Sequence, residues 1–267
     1  MPISRKFQNN SDFCFSEIEK DLEKGQHFLE DKEIIKKEIA LANLSKKDKV
    51  IEIGAGEGNL TEELIKKAGK VLAFEIDEKY SKKLEKLKEN HDNLEIVYDN
   101  ALNYSWRNYS KIISNIPYFI SEQLIKKSIE DEILEIVVIV GERFKEILEK
   151  KESKMGVISN LFYEIDFIQK IDKSCFLPPP RTNSWLIKLR RKEKLSSKET
   201  FLASILGKKG KIKNALLYSL VERGKTKREA RKKIENMNLS KQVLEKPVSR
   251  ITGRFLIRLA ENLEKLD

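Results

Sequence analysis

Short apolar runs alternate with longer charged segments along most of the chain. Runs rich in β-branched residues occur at 49-KVIEI-53, 70-KVLAFEI-76, 94-LEIV-97, 111-KII-113 and 135-EIVVIV-140. The segments between several of these runs are typical of helices, as in the stretch that follows the first run and ends near Ala68. Strands alternating with helices in this way predict a parallel, doubly wound α/β sheet. A proline cluster, 178-PPP-180, precedes a last predicted strand at 184-SWLIKL-189.

Beyond Arg190 the pattern changes to short, basic, helical periodicity without β-branched runs. From Arg190 to Asp267 there are 22 Lys and Arg against 9 Asp and Glu, so the rest of the chain carries −3 of the total net charge of +10. A basic appendage on a nearly neutral body is typical of a polyanion-binding segment, which gains affinity from phosphate contacts and counterion release. A generally lysine-rich proteome is the alternative explanation, and the asymmetry argues against it.

The chain of 267 residues is long enough for one large domain and one small one. We predict an N-terminal extension over residues 1–24, a main α/β domain over residues 25–190 and a basic helical domain over residues 191–267. The longest apolar stretch, 133-ILEIVVIV-140, is too short to span a membrane, and the N-terminus lacks the apolar core of a signal peptide. Cys14 and Cys175 are far apart, and two histidines leave too few ligands for a zinc site. The composition predicts a cytoplasmic protein without a metal.

A glycine-rich turn, 52-EIGAGEGNLT-61, follows the first strand. Glycine lets the backbone turn tightly and approach a ligand closely, although structural glycines at strand ends are frequent. Glu75 ends the second strand 21 residues after Gly54, where a carboxylate can accept hydrogen bonds from both hydroxyls of a ribose. A surface acid is the alternative reading of Glu75. The G-x-G-x-G spacing differs from the dinucleotide fingerprint and suits a nucleoside without phosphates, such as S-adenosylmethionine.

The strand that begins at Lys111 ends in an unusual segment, 114-SNIPYFIS-121. Asn and Pro are common turn residues, so an ordinary turn is one explanation. Together with four other motifs, however, this segment resembles the ribosomal-RNA adenine N6,N6-dimethyltransferase family, that is, the KsgA-type and Erm-type enzymes. The motifs are 25-GQHFL-29, 52-EIGAGEGNLT-61, 75-EID-77, 115-NIPY-118 and 176-FLPPPRTNS-184. The resemblance is close over residues 24–190, looser in the tail, and implies a Rossmann-like class I methyltransferase sheet.

The resemblance also implies a set of residues that bind S-adenosylmethionine. Gln26, His27 and Leu29 close over its methionine and ribose in such enzymes, while Glu75 contacts the ribose. The other implied cofactor contacts are Gly54, Gly56, Ile76 and Asn115. One position departs from the family, because 99-DNAL-102 has Asn100 where an acidic residue is usual. We expect Asn100 to bind the cofactor's adenine amine at a cost on the order of 1 kcal/mol, unless a local slip gives that role to Asp99.

The catalytic role implied for Asn115 depends on the chemistry of adenine. Its exocyclic amine is a poor nucleophile because the nitrogen lone pair is delocalised into the ring. If the Asn115 side-chain oxygen and the backbone carbonyl of Ile116 or Pro117 accept its two N–H bonds, the lone pair can point at the methyl donor. Catalysis then depends on positioning and electrostatics. Tyr118 and Phe176 are expected to sandwich an adenine extruded from its stack.

The basic tail carries the substrate prediction. The segment 208-KKGKIKNALLYSL-220 resembles a helix of small-subunit enzymes, and Lys208, Lys209, Lys211, Lys213 and Arg181 are the expected RNA contacts. A solvated charged face is the alternative for these lysines. The predicted substrate is the pair of adjacent adenines in the 3′-terminal hairpin of small-subunit rRNA, within a partly assembled subunit, with the enzyme acting as a monomer. Two alternatives are an Erm-type enzyme acting on large-subunit rRNA, which gives macrolide resistance, and a non-catalytic ribosome-assembly factor.

Overall fold

The computed structural model describes residues 27–264, so the predicted extension over residues 1–24 and Gln26 lie outside the described residues. The strands are β1 (Phe28–Leu29), β2 (Lys49–Ile53), β3 (Lys70–Phe74), β4 (Leu94–Val97), β5 (Lys111–Asn115), β6 (Glu135–Gly141), β7 (Tyr163–Ile171), β8 (Phe176–Leu177) and β9 (Ser184–Arg191). The helices are α1 (Lys32–Ala42), α2 (Asn59–Lys67), α3 (Ser81–Glu89), α4 (Ser121–Glu130), α5 (Glu142–Lys150), α6 (Lys154–Phe162), α7 (Ser197–Leu206), α8 (Ile212–Glu222), α9 (Lys227–Asn236), α10 (Lys241–Leu244) and α11 (Gly253–Glu264). Within this described range, no helix is long and apolar enough to cross a membrane.

Seven strands form one sheet in the order β4-β3-β2-β5-β6-β9-β7. The pairs from β4 through β6 are parallel, and β9 pairs antiparallel with β6. The strand order reverses between β2 and β5, because the chain runs outward through β3 and β4 before it returns to β5. In such sheets ligands bind in the crevice at the carboxyl ends of the strands, where the order reverses. The predicted doubly wound α/β fold is confirmed, and it directs attention to the ends of β2 and β5.

The central strands are buried over nearly their whole length, which explains why they read as continuous apolar runs. Of the five residues of β2 only Lys49 is exposed, and six of the seven residues of β6 are buried. Strands covered on both faces have this pattern, in contrast to the alternation of a half-exposed strand. The predicted run at 49–53 matches β2 residue for residue, and the other predicted strands differ from the observed bounds by a few residues at most.

The chain divides into two compact units that interleave in sequence. The first extends to Lys145 and includes Ile165–Arg191, and the second consists of Glu146–Glu164 and the chain from Lys192 onward. The prediction placed one boundary between residues 190 and 191 and assigned the whole of residues 25–190 to the main domain. In the structure, however, Glu146–Glu164 leaves the sheet unit and groups with the tail. A single-boundary reading of the sequence cannot reveal such an excursion.

The second unit is helical and has its own apolar core, which includes Phe201, Leu216, Leu256 and Leu259. Two of its helices begin with reciprocal capping boxes. Ser196 and Glu199 cap α7, and the same arrangement occurs at the start of α9. Each box satisfies two backbone N–H groups that have no partner within the helix. The local sequence therefore fixes where these helices begin.

Candidate active site

The glycine turn between β2 and α2 adopts a left-handed backbone at three positions. Gly54, Gly56 and Gly58 have φ values of 79°, 53° and 88°, a region that residues with a Cβ rarely enter. The N–H of Gly54 donates to the carbonyl of Phe74 at 2.8 Å, which ties the turn to the end of β3. A Cβ added at Gly56 would lie 2.7 Å from Cε1 of Phe28. The turn therefore requires glycine at position 56 for space as well as for backbone conformation.

Glu75 connects this turn to the segment that follows β3 through its two carboxylate oxygens. Its Oε2 accepts a hydrogen bond from the N–H of Gly56 at 2.7 Å, and its Oε1 accepts one from the N–H of Asp77 at 2.8 Å. Glu75 is only 3% exposed, and burial raises the pKa of its carboxyl, while the two backbone hydrogen bonds oppose that rise. Each carboxylate oxygen can accept more than one hydrogen bond. Holding the turn is thus compatible with binding a ribose, the role expected for Glu75.

Asn115 ends β5 with its amide group held in one orientation. Its Nδ2 donates to the backbone carbonyl of His27 at 3.0 Å, so Oδ1 points away from that carbonyl. His27 is itself anchored, because its Nδ1 lies 2.9 Å from the carbonyl oxygen of Pro178. Pro117 follows closely, and its Cδ lies 3.6 Å from the position that a Cβ on Gly54 would take. The glycine turn and the Asn-Ile-Pro segment therefore face each other across a narrow gap.

Tyr118 is fixed at both ends of its side chain. Its hydroxyl forms a short hydrogen bond with Oγ of Ser184, and its ring lies 5.6 Å from the His27 ring, at an interplanar angle of 34°. Burial raises the pKa of the Tyr118 phenol, which therefore stays protonated at neutral pH. A Cβ on Gly141 would lie 3.1 Å from the Tyr118 ring, so this glycine makes room for the aromatic side chain.

Two motifs that are far apart in sequence join in a small ribbon. Strands β1 and β8 pair antiparallel, with Phe28 opposite Leu177 and Leu29 opposite Phe176. This places the His27–Leu29 part of the first motif beside the start of the proline-rich motif. Leu29 and Phe176 are 5% and 3% exposed and belong to the apolar core of the sheet unit.

These elements surround an open cleft of about 820 Å³, a volume that includes the solvent at its mouth. Its lining residues are His27, Phe28, Ile53, Gly54, Phe74, Glu75, Ile76, Asp99, Asn100, Ala101, Asn115, Ile116, Pro117, Tyr118, Phe119 and Ile120. The cleft thus brings together most of the residues that the sequence assigned to the cofactor and the reacting base. Ile76 and Phe119 are exposed apolar residues, at 69% and 67%.

Both candidates for the adenine contact line the cleft, and both have local hydrogen bonds. The Asn100 side chain accepts from the N–H of Leu102 at 3.0 Å and begins a short 3₁₀ turn. The Asp99 carboxylate accepts from the N–H of Asn100 at 2.6 Å and from the Tyr104 hydroxyl at 3.1 Å. The Oδ1 of Asn100 would have to accept hydrogen bonds from both the Leu102 N–H and the ligand's amine. The choice between the two residues therefore stays a prediction.

Three residues differ from the sequence-based picture of the site. Phe176 is buried and is not among the described residues that line the cleft, so it does not face Tyr118 across the cleft in this conformation. Gly56 donates its N–H to the Glu75 carboxylate but is not among the described residues that line the cleft, and Leu29 lines a neighbouring cavity. Phe119 does line the cleft and was not selected from the sequence. The only signal was its place directly after Tyr118, since an aromatic residue at that position also fits an ordinary turn.

In the second unit, three of the lysines expected to contact RNA form ion pairs. Lys211 and Lys213 lie 2.7 and 2.5 Å from the carboxylate of Glu245, and Lys208 pairs with Glu222. Lys211 and Lys213 lower the pKa of the Glu245 carboxyl to about 2. Lys209 is exposed, as is Arg181 in the first unit. Helix α9 carries a group of exposed basic side chains that was not predicted as an RNA contact. They are Lys227, Arg228, Arg231 and Lys232.

The sheet, the glycine turn after β2 and the acid after β3 define a class I methyltransferase. A family model described as "Ribosomal RNA adenine dimethylase" matches residues 19–252. The chain is 34% identical over 236 residues to a probable ribosomal RNA small subunit methyltransferase A of Methanococcus maripaludis, with 83% of this chain and 86% of the relative covered. It is also 34% identical over 202 residues to ribosomal RNA small subunit methyltransferase A of Thermotoga maritima, with 72% of each covered.

Among solved structures, a dimethyladenosine transferase from Plasmodium falciparum matches with a TM-score of 0.64 and 25% identity. The match covers 90% of this chain and 98% of the other. The chain therefore belongs to the ribosomal RNA adenine dimethylase family. The predictions of this family, of a class I methyltransferase fold and of an rRNA adenine dimethyltransferase activity are confirmed.

Proposed function

We propose that this protein transfers methyl groups from S-adenosylmethionine to N6 of two adjacent adenines in the 3′-terminal hairpin of small-subunit rRNA. The observation that carries the proposal is the fixed amide of Asn115 in the cleft that Glu75 also lines. Family membership supplies the reaction class, and the names of the relatives point to the small subunit. We further propose that the enzyme acts in the cytoplasm as a monomer, on a partly assembled subunit.

The residues of the cleft fit this methyl donor. Glu75 presents a buried carboxylate to hydroxyl groups, and the exposed side chain of Ile76 offers an apolar surface to a base. The left-handed backbone at Gly54 leaves space where a Cβ would stand beside Pro117. When bound, S-adenosylmethionine supplies an electrophilic methyl group on a sulfonium. The cofactor set proposed from the sequence is His27, Leu29, Gly54, Gly56, Glu75, Ile76, Asn100 or Asp99, and Asn115, together with Gln26 outside the described residues.

Asn115 is proposed to orient the adenine amine rather than to remove a proton from it. Because Nδ2 donates to the His27 carbonyl, the acceptor Oδ1 points away from His27. A hydrogen bond from the amine to Oδ1, and a second to the carbonyl of Ile116 or Pro117, would localise the nitrogen lone pair. No strong base is needed, since the methylated ammonium is itself very acidic. The contribution of the protein is positioning, which can account for about 7–11 kcal/mol of a barrier.

We propose that Tyr118 forms one face of the pocket for the flipped adenine. The buried position of Phe176 means that it can form the second face only if the ribbon moves. Phe119, at the mouth of the cleft, is the exposed aromatic side chain next to Tyr118 and offers a second stacking surface. Aromatic stacking is worth about 1–3 kcal/mol per base.

For RNA binding we propose two groups of basic side chains, which differ in whether they already form ion pairs within the protein. Lys208, Lys211 and Lys213 must exchange carboxylate partners for phosphates, and each exchange reduces the net gain. The four exposed basic side chains on α9 join Lys209 and Arg181 as proposed phosphate contacts. Each phosphate contact that is lost should reduce the salt dependence, d log K/d log[salt], by about 0.7–0.9 in magnitude. Replacing Arg228 and Arg231 by Gln should therefore lower the salt slope more than replacing Lys211 and Lys213 by Gln.

The decisive experiment is methyl transfer from labelled S-adenosylmethionine to two substrates in parallel. One is a small ribosomal subunit that lacks its terminal dimethyladenosines, and the other is protein-free large-subunit rRNA. We expect label in the small subunit and a loss of at least about a hundredfold in rate with Asn115→Ala. Asn115→Asp keeps an acceptor oxygen but loses the bond to His27, so it separates orientation from acceptance. Binding of S-adenosylhomocysteine by each variant shows that the cleft is intact.

The other outcomes contradict the proposal in distinct ways. Label only in the large-subunit rRNA would move the protein to the Erm-type activity. No label in either substrate, with S-adenosylhomocysteine still bound, would favour a ribosome-assembly role without catalysis. An active Asn115→Ala variant would leave the small-subunit substrate in place and refute the mechanism.

A further inference from the structure

The proposed function gives no role to the end of the pair formed by β6 and β9, although the Tyr118 side chain rests on it. The two strands pair antiparallel up to Gly141 and Ser184, which lie opposite each other at the last position of the register. Residues directly opposite in an antiparallel pair face the same side of the sheet. The Tyr118 ring occupies that side, because a Cβ on Gly141 would lie 3.1 Å from its Cδ2 and its hydroxyl bonds to Oγ of Ser184.

Ser184 is itself held in place by the chain around it. It is 0% exposed. The preceding residue, Asn183, is anchored twice, since its carbonyl accepts the N–H of Glu142 at 3.1 Å and its Oδ1 accepts the N–H of Lys173 at 3.1 Å. A buried hydroxyl is costly without a hydrogen-bond partner, and the Tyr118 phenol supplies one. The Ser184 hydroxyl is therefore a fixed point for the far end of the Tyr118 side chain.

The Tyr118 ring needs this fixed point because its backbone alone does not set its direction. The Ser121 hydroxyl donates to the Tyr118 carbonyl at 2.9 Å, which holds the main chain but not the ring. The hydrogen bond to Ser184 fixes the axis of the ring, which χ1 determines. Rotation about that axis, χ2, is soft in tyrosine, and the close packing against Gly141 limits it. The two residues together determine the plane of the ring.

We propose that Ser184 is a positioning residue for methyl transfer, and that it acts by holding the Tyr118 ring in the plane on which the flipped adenine stacks. This inference rests on the proposed function, which makes Tyr118 one face of the adenine pocket. The acceptors proposed for the adenine amine belong to Asn115 and to Ile116 or Pro117, in the same short segment. A ring fixed relative to these acceptors presents the amine to them in one orientation, whereas a ring that turns does not.

The effect of losing this support should fall on kcat rather than on KM for the rRNA. Phosphate contacts, such as those proposed for α9, supply most of the affinity for a nucleic acid and do not involve Ser184. A base that stacks at the wrong angle is still bound, but its amine is misplaced, and small misplacements are costly in rate. Ser184→Ala should therefore lower kcat by about ten- to a hundredfold and change KM by less than about twofold.

The test is steady-state methyl transfer from labelled S-adenosylmethionine, by the full-length protein, to a small ribosomal subunit that lacks its terminal dimethyladenosines. Tyr118→Phe keeps the ring and removes the same hydrogen bond from the other side, so its loss in kcat should resemble that of Ser184→Ala. The double variant should lose no more than the worse of the two single variants, since both remove one interaction. Gly141→Ala keeps both hydroxyls but displaces the ring, so it should lower kcat as well.

Ser128→Ala is the matched control. Ser128 is also 0% exposed and belongs to the same unit, but its hydroxyl donates to the Leu124 carbonyl within α4 at 2.8 Å. This variant should have the kinetic constants of the wild type. S-Adenosylhomocysteine should bind to every variant with unchanged affinity, because the Glu75 carboxylate and the glycine turn are not altered.

Several results would overturn the inference. A wild-type kcat in Ser184→Ala would mean that Ser184 does not position the ring. Losses that multiply in the double variant would show that Ser184 acts by a route other than Tyr118. An equal loss in Ser128→Ala, or weaker binding of S-adenosylhomocysteine by Ser184→Ala, would indicate a general effect on the fold.

Failure of the proposed function is distinguishable, because it appears in the wild type. If the wild type labels large-subunit rRNA instead, the same variants are compared on that substrate, and the same outcomes decide the role of Ser184. If the wild type labels neither RNA, the inference falls together with the function on which it rests.

Discussion

Replacing Gly56 by Ala tests whether the glycine turn and the ribbon of β1 and β8 depend on each other. Two separate costs arise at this position. The backbone has φ of 53°, and a left-handed conformation costs an L-residue about 1–2 kcal/mol. The new Cβ would also lie 2.7 Å from Cε1 and 3.1 Å from Cδ1 of Phe28, so the ring must move. Overpacking of this kind costs about 1–3 kcal/mol, which brings the expected loss to roughly 2–5 kcal/mol.

Gly54→Ala is the matched control for the stability measurement. It lies in the same turn and has φ of 79°, but its Cβ would meet Cδ of Pro117 at 3.6 Å, an ordinary contact. Its cost should therefore be the backbone term alone, about 1–2 kcal/mol. Tryptophan fluorescence during urea unfolding is a suitable assay, because both tryptophans, Trp106 and Trp185, belong to the sheet unit.

The role of Phe28 can be isolated with a double-mutant cycle. Phe28→Leu removes the ring, so in that background Gly56→Ala should cost about 1–3 kcal/mol less than in the wild type. If Gly56→Ala costs no more than Gly54→Ala, or if Phe28→Leu brings no relief, then the ring does not restrict the turn. The same variants should be tested for S-adenosylhomocysteine binding, because a displaced Phe28 moves the ribbon that carries His27.

Three further predictions concern other parts of the site. Asn100→Asp should strengthen S-adenosylmethionine binding by about 1 kcal/mol in calorimetry. Asp99→Ala should weaken it only if Asp99, and not Asn100, binds the cofactor's adenine amine. No change in either variant would refute both assignments. Phe119→Ala should raise KM for the rRNA substrate several-fold and leave cofactor affinity unchanged, and an unchanged KM would remove Phe119 from base binding. For stability, the folded-state pKa of about 8 for Glu52 exceeds the usual 4.5, so the folded state keeps a proton that the unfolded state has lost. The free energy of unfolding of the ligand-free protein should therefore fall by at least about 1 kcal/mol as pH rises from 4.5 toward 8, and a Glu52→Gln variant without a smaller fall would contradict this reasoning.

The strands that the sequence predicts are those buried on both faces, such as β2 and β6, since burial forces continuous apolar composition. Strand β7 was not predicted, because its sequence 163-YEIDFIQKI-171 mixes charged and apolar residues and most of its positions are only half-buried. The two-residue strands β1 and β8 are too short to have a pattern of their own. Their pairing depends on a contact between residues more than 140 positions apart.

Glu38 shows why a buried acid beside the site could not be predicted from the sequence. In 32-KEIIKKEIALA-42 an acid among lysines indicates a solvated helix face, which is how charged residues in helices usually lie. The structure instead buries Glu38 completely, against β5 and β6 according to the packing of α1. No local pattern distinguishes a buried acid from an exposed one. By contrast, Gly54, Glu75 and Asn115 were predictable because each lies at the carboxyl end of a parallel strand or directly after it, at the edge of the sheet where ligands bind.

The orientation of Asn115 depends on residues far from it in sequence. Its Nδ2 bonds to the carbonyl of His27, and the His27 ring bonds to the carbonyl of Pro178, so the motif around His27 is held between the other two. The amide could otherwise rotate, and a rotated amide would present a donor to an adenine amine that is itself a donor. Strands β1 and β8 pair directly after His27 and directly before Pro178. The ribbon therefore fixes the position of the His27 carbonyl. Three motifs that the sequence suggests as separate contacts therefore act as one assembly. A change that displaces the ribbon should lower the rate of methyl transfer, through the Asn115 amide, more than it weakens cofactor binding by the Glu75 carboxylate.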